Sequence, residues 1–255
     1  FSQNTGQPAF DSTRMSFSRL VEAYILKRAQ EFQVLATNKP SSHHIEQRQQ
    51  QQYEGGFVYQ PTPGVYDNIV VFDFRSLYPS IITSHNIGPE SYQCSCCKEN
   101  LVPSLPEYWF CRKKPGFMPK ILNDLILRRA EIKKQLKGLQ LAEKQGIQEQ
   151  DILKKDILKR DMPERALLEA RSFAIKLLAN SFYGYLGFYG ARWYSFPSAR
   201  ATTAYARNYI QETMKKAKSK GFTILYGDTD SLFLLLGKQS VQMAKDFMKE
   251  VNISL

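Results

Sequence analysis

The residues best suited to chemistry in this 255-residue sequence are the two aspartates of Tyr226-Gly227-Asp228-Thr229-Asp230-Ser231. They lie between Phe222-Thr223-Ile224-Leu225 and Leu232-Phe233-Leu234-Leu235-Leu236, two short apolar runs rich in β-formers. That pattern predicts a hairpin with the acids in its turn. Carboxylates two residues apart can face one side of a ribbon. Like charges held that close repel, and a bound cation is the usual relief. An ordinary acidic turn is the alternative, since Asp and Gly are common turn formers.

A third acid follows another apolar run. Asn68-Ile69-Val70-Val71-Phe72-Asp73-Phe74 reads as a buried strand, in which a carboxylate must be paired, hydrogen-bonded or metal-bound. In the continuation Arg75-Ser76-Leu77-Tyr78-Pro79-Ser80-Ile81-Ile82, Pro79 leaves Tyr78 non-helical and suits the first turn of a helix. A strand, a tight turn and a helix start place free backbone N–H groups beside Asp73, where they can bind phosphate.

The elements that must position these acids follow from periodicity and breakers. Helical spacing predicts a helix over 16–32, and the Pro, Ser, His and Gln composition of 38–52 marks an exposed linker in which His43 and His44 are solvated. The glycines of Tyr53-Glu54-Gly55-Gly56 permit a turn or the close approach of another backbone. After Pro115-Gly116 a long helix spans 117–141, with Arg128, Arg129, Lys133, Lys134 and Lys137 on its far face. A charged helical tip covers 142–162, and a second long helix runs from Pro163 to about 182 with Lys176 and Asn180 beside Tyr183. Two such helices form an antiparallel pair. Arg129 with Lys133, and Lys176 with Asn180, are i, i+4 neighbours; a plain solvated face is the alternative reading of these cations. Gly184, Gly187 and Gly190 are expected to interrupt the helix, and Arg192-Trp193-Tyr194-Ser195 to form a strand-like piece. A helix over 199–217 leads into the hairpin, and an amphipathic helix over 241–251 follows it. The aromatics of 182–196 suit base stacking or a core equally.

Composition narrows the partner. The chain carries 35 Lys and Arg against 24 Asp and Glu, a net charge of +11, which suits a polyanion, nucleic acid before a membrane surface. No apolar run approaches the roughly 20 residues of a spanning helix, and no secretory signal is expected at Phe1. The four cysteines, Cys94, Cys96, Cys97 and Cys111, fall in one short segment. Reduced thiols or a metal knuckle suit them better than a disulfide framework, although C-x-C-C is not a usual zinc spacing.

Three stretches resemble, in order, the signatures of family B DNA polymerases, most like the archaeal enzymes and bacterial polymerase II. Asp73-Phe74-Arg75-Ser76-Leu77-Tyr78-Pro79-Ser80-Ile81-Ile82 is similar to motif A, Lys176-Leu177-Leu178-Ala179-Asn180-Ser181-Phe182-Tyr183-Gly184 to motif B, and 226–231 to motif C. Gly116-Phe117-Met118-Pro119 with Arg129 and Lys133 resembles the first fingers helix, and Tyr53-Glu54-Gly55-Gly56 the Y-x-G-G element that touches template.

The resemblance implies an α+β protein: an antiparallel palm sheet with flanking helices and an inserted two-helix antiparallel fingers subdomain. It divides the chain into an N-terminal helix and linker (1–56), a first palm part (57–115), fingers (116–190) and a second palm part (191–255). It implies template-directed DNA synthesis from dNTPs on a primer-template, with two Mg²⁺ held by Asp73, Asp230 and the Phe74 carbonyl, and Asp228 in a supporting or transient contact. Arg129, Lys133, Lys176 and Asn180 would clamp the triphosphate, and the backbone N–H groups of Ser76, Leu77 and Tyr78 would hold further phosphate oxygens. Tyr78 would exclude a 2′-hydroxyl, and Tyr183 would pack on the nascent pair.

The family also carries an exonuclease module and a thumb, which fall outside this span. The expectation is therefore a crop of a larger chain or one piece of a split polymerase, with a thumb- or exonuclease-bearing polypeptide and a sliding clamp as further partners, in a prokaryotic, nucleoid-associated cytoplasmic setting. A non-catalytic DNA-binding fragment and a metal-dependent nuclease are the rivals. The triphosphate clamp argues against the nuclease.

Overall fold

The computed structural model describes residues 1–61, 63–146 and 152–254, with side chains omitted for 142–164. In chain order the elements are α1 (Ser2–Thr5), α2 (Ala9–Ser12), α3 (Phe17–Glu31), α4 (Ser42–Gln49), β1 (Val58–Tyr59), β2 (Ile69–Asp73), α5 (Leu77–Ser84), β3 (Asn100–Val102) and β4 (Leu105–Phe110). They continue as α6 (Phe117–Gly146), α7 (Ile152–Leu186), α8 (Phe196–Ser219), β5 (Thr223–Asp228), β6 (Ser231–Leu235) and α9 (Val241–Ser254). The fold is α+β with antiparallel sheets. It divides into a helical unit, 1–45 with 117–194, and a sheet unit, 46–116 with 195–255.

In the sheet unit, four antiparallel strands run in the order β1-β5-β6-β2. Period-two alternation sends Val70 and Phe72 of β2, Leu232 and Leu234 of β6 and Ile224 of β5 to one face. That face is covered by Ile210, Met214 and Ala217 of α8 and by Ala244, Phe247 and Val251 of α9. Full burial of Leu232 and Leu234 contributes roughly 1.5–3 kcal/mol each. The opposite face carries Val71, Phe233, Tyr226 and the acids.

The expectation of a buried strand at 68–74 is corrected here. β2 is the outer strand of its sheet, and Ile69 and Val71 stand 41% and 52% exposed. An uninterrupted apolar run hides which of its faces is covered, so periodicity could not tell the edge from the centre.

In the helical unit, α3 packs on α6 and α7. The Tyr24 hydroxyl donates to the Ile121 carbonyl (3.2 Å) and its ring meets Phe182 edge-on, so one side chain ties an early turn of α6 to a late turn of α7. Further along, residues 128–135 of α6 face 168–175 of α7, as an antiparallel pair requires. Arg28 pairs with Asp124 and Glu31.

Several boundaries differ from the sequence reading. α7 begins at Ile152, upstream of Pro163, and runs through Gly184 to Leu186. Part of the tip expected over 142–162 falls at 147–151, outside the described residues. Where the sequence predicts a strand-like piece, residues 192–193 form a turn and 194–195 are irregular, with Arg192 tied to Glu22 and to the Thr37 carbonyl (2.8 Å). The Gln-rich linker is exposed as expected but contains the helix α4, which buries no residue. Among the described residues no helix is long and apolar enough to cross a membrane.

Candidate active site

The sheet register brings the acids together. Asp73 pairs with Ser231, and Ser231 pairs with Asp228, so the two aspartates occupy one row across β2, β6 and β5. Two strand spacings separate their backbones, about 10 Å. Asp230 sits in the turn between β5 and β6, nearer to both.

That turn is tight. The Asp230 N–H donates to the Asp228 carbonyl at 2.5 Å around Thr229, whose φ is 51°. A β-branched residue at positive φ is strained and persists only where its surroundings over-determine it. Here they do. The Thr229 N–H donates to the Phe57 carbonyl (2.9 Å), and its hydroxyl donates to Asp228 Oδ1 (2.9 Å). From the other side the Phe74 N–H donates to the Asp230 carbonyl at 2.7 Å. The Asp230 backbone is thereby tied to the residue that follows Asp73.

The electrostatics follow the row. Burial, and after it the charge of Asp73, raises the Asp230 carboxyl above the usual aspartate range, while Asp228 adds a smaller push. Asp228 instead accepts hydrogen bonds from Tyr226 Oη (3.2 Å) and Thr229 Oγ1. Asp230 is thus the carboxylate on which burial and a neighbouring charge bear, and Asp228 is hydrogen-bonded locally. The three carboxylates do not form a cluster with every ligand atom within 4.8 Å; among the described residues only the cysteines do.

The segment after Asp73 turns through Ser76, which has φ 53° and ψ 50° and caps α5 without a side-chain bond. The first backbone N–H groups of a helix have no intrahelical acceptor, so Leu77 and Tyr78 present theirs. Tyr78 lies inside α5, contrary to the expectation that Pro79 would leave it non-helical. Pro79 is the third helical residue, where its missing N–H costs nothing, so the helix starts two residues before it. The Tyr78 hydroxyl is held above the usual tyrosine range by burial and then by Asp230, which keeps it a neutral phenol.

The Tyr53-Glu54-Gly55-Gly56 strap lies against the acidic turn. A Cβ on Gly56 would stand 2.7 Å from Thr229 Oγ1, so only glycine allows the strap to lie against the acidic turn. Arg207 of α8 donates to the carbonyls of Glu54 (2.7 Å) and Gly55 (2.6 Å) and pairs with the Glu54 carboxylate (3.4 Å). Thr203, one turn earlier, donates to the same Glu54 carbonyl (2.9 Å). Sequence reading missed Arg207; its i, i+4 relation to Thr203 was the only signal, and many helices carry such a pair.

The remaining predicted site residues belong to the helical unit. Arg129 is half-buried, Lys133 is exposed one turn on, and Lys176 and Asn180 are exposed on α7 with Tyr183 half-buried after them.

With three aspartates at one end of the sheet and a capless helix start beside them, comparison with known proteins names the class. Residues 13–254 match the model of DNA polymerase family B, and the chain belongs to that family. It is 41% identical over 254 residues to a "DNA polymerase 1" of Pyrococcus abyssi, covering 98% of this chain and 30% of that protein. It is 38% identical over 260 residues to a DNA polymerase of Thermococcus gorgonarius, covering 100% of this chain and 31% of that one. The family B DNA polymerase structure from Pyrobaculum calidifontis superposes with a TM-score of 0.70 at 29% identity, over 98% of this chain and 30% of that one. The chain therefore spans about 30% of the length of these relatives.

Proposed function

We propose that this chain carries the nucleotidyl-transfer centre of a DNA-directed DNA polymerase, adding deoxynucleotides to a primer 3′-hydroxyl on a template. The observation that carries the reading is the pairing of Asp73 and Asp230, whose mutual repulsion on a turn pinned from both sides suits a divalent cation. Asp73, Asp230 and the Phe74 carbonyl would hold two Mg²⁺, with Asp228 steadying the turn or making a transient contact. The bound ions would lower the pKa of the 3′-hydroxyl and stabilise charge on the reacting phosphate. Hard oxygen donors shared with substrate phosphates are what Mg²⁺ prefers.

The chain's own groups would do the rest. Arg129, Lys133 and Lys176 would neutralise the triphosphate through charge-assisted hydrogen bonds, with Asn180 as a neutral donor. The N–H groups of Ser76, Leu77 and Tyr78 would bind further phosphate oxygens. The Tyr78 ring would exclude a 2′-hydroxyl, and Tyr183 would pack against the nascent base pair. In this reading 117–146 and 152–186 serve as fingers, and the four-stranded sheet as palm.

The 30% share of the relatives' length keeps a second reading in play: one piece of a polymerase that needs a thumb-bearing partner, able alone only to hold DNA. Primer extension with Mg²⁺, comparing this chain with Asp230→Ala, alone and with a thumb-bearing polypeptide, separates the two. Extension by the chain alone that disappears in the variant supports the first reading. Extension only with the partner supports the second. DNA binding without extension in either condition would overturn the catalytic assignment.

A further inference from the structure

The sheet unit holds a cluster of metal-ligating side chains that the polymerase reading does not use. Cys94, Cys96 and Cys97 follow α5, and Cys111 comes just after β4, yet the fold returns Cys111 to the first three. All four sulfurs lie within 4.8 Å of one another. Cys94 and Cys97 are 3.4 Å apart, Cys96 and Cys111 3.4 Å, and Cys97 and Cys111 3.9 Å. A zinc ion with four thiolates at about 2.3 Å in a tetrahedron sets its sulfurs roughly 3.8 Å apart, inside the observed range. A disulfide needs about 2.05 Å, and no pair is that close. A multi-iron cluster interposes several atoms between its thiolates and requires a wider set of sulfurs.

The surroundings suit thiolates. The Lys114 N–H points at Cys111 Sγ (3.3 Å) and the Arg112 N–H at Cys97 Sγ (3.4 Å), donors of the kind that stabilise sulfur carrying charge. Trp109 Nε1 donates to the Cys94 carbonyl (3.2 Å) and fixes the backbone of the first ligand. Lys98, Arg112, Lys113 and Lys114 adjoin the cysteines in sequence, opposing the double negative charge of a zinc tetrathiolate. Mg²⁺ and Ca²⁺ are excluded by ligand chemistry, since both take oxygen donors.

We propose that Cys94, Cys96, Cys97 and Cys111 bind one structural zinc ion. The site staples the segment after α5 to the strand end at Cys111. Asn86, just past α5, continues the same join: its amide nitrogen donates to the carbonyls of Cys111 (2.6 Å) and Lys114 (2.9 Å), and its oxygen accepts from the Gly116 N–H (2.7 Å). The zinc thus joins the segment after α5 to the segment after β4. Because the ligands are soft thiolates and the aspartates hard oxygens, the two sites choose different metals.

Metal analysis of the intact chain, expressed with zinc and dialysed into metal-free buffer, tests this. The expected result is about one zinc per chain. Exchange for Co²⁺ should give thiolate-to-cobalt charge-transfer bands and the strong visible bands of a tetrahedral centre. Cys96→Ser and Cys111→Ser should each lose the zinc on dialysis, whereas Asp230→Asn should retain it. If those variants fail to fold, the parent chain still decides: chelation should expose four reactive thiols and lower the melting temperature by roughly 10 °C, and added zinc should reverse both. A metal-free chain with four freely reactive thiols, iron in place of zinc, or non-reduced peptide maps showing Cys97 joined to Cys111 would each overturn the assignment.

Discussion

The aspartates of the sheet unit and the cations of the helical unit are positioned by opposite means. Asp73 and Asp228 stand at strand ends whose register is set by a backbone ladder, and Asp230 is held by main-chain bonds on both sides of its turn. Lys133 and Lys176 stand on helix faces at the ends of long exposed stems. The acids are fixed before any ligand arrives, at the cost of repulsion between Asp73 and Asp230. The exposed Lys176 side chain is held by no backbone ladder, and in the proposed function it would give up rotamer freedom only on meeting the triphosphate.

Four substitutions break or sharpen that contrast. The largest effect is expected from Asp230→Ala, which removes half of the repelling pair. A lost metal ligand forfeits several kcal/mol of charge stabilisation, so nucleotide insertion in primer extension should fall by about a thousandfold or more. In the proposed function Lys176→Ala would remove one charge-assisted contact worth about 1.5–3 kcal/mol, so dNTP affinity in a titration should fall roughly 10- to 100-fold while the fold, read by circular dichroism, stays intact.

Gly56→Val tests the pinning itself. Its Cβ would stand 2.7 Å from Thr229 Oγ1, and the branched side chain must displace the turn at a cost of about 1–3 kcal/mol. The expected outcome is a lower unfolding midpoint together with roughly tenfold slower insertion at unchanged dNTP affinity.

The smallest effect is a pH dependence. The folded chain binds the Asp230 proton more tightly than the unfolded chain, because burial and Asp73 raise its carboxyl. The group therefore costs stability as pH rises from the ordinary aspartate value, about 3.9, through its raised folded value. Asp230→Asn removes that cost. In metal-free buffer the variant should melt above the parent at neutral pH, with the margin closing towards about pH 3, below the ordinary aspartate value. Mg²⁺ should raise the parent more than the variant. A margin that widened on acidification would contradict the assignment of repulsion to this pair.

Much of the fold around these residues is legible in the sequence. The hairpin at 226–231 and the helix at 117 onward follow from apolar period and from the Gly and Pro breakers. The row joining Asp73 to Asp228 was not legible, because strand register depends on the pairing of segments distant in sequence. Pro163 and Gly184 misled for a shared reason: both residues are poor helix interiors on propensity, yet α7 passes through each. Buried contacts farther along, such as Phe182 against Tyr24, outweigh such local costs. The Gly56 approach to Thr229 needed three-dimensional proximity, since the glycine pair announced a close contact without naming the partner. The cysteines were visible as a group, but the unusual C-x-C-C spacing concealed that the β3–β4 hairpin carries Cys111 back to them.

The proposed division of labour between the backbone-fixed acids and the exposed Lys176 is tested most directly by single-turnover insertion of one deoxynucleotide over a dNTP concentration series, with Asp230→Asn and Lys176→Ala beside the parent chain. The account predicts that Asp230→Asn lowers the limiting rate with dNTP affinity largely kept, and that Lys176→Ala weakens dNTP affinity more than it lowers the rate. An Asp230→Asn chain that inserts at the parental rate would contradict it, as would a Lys176→Ala chain with full affinity and a collapsed rate.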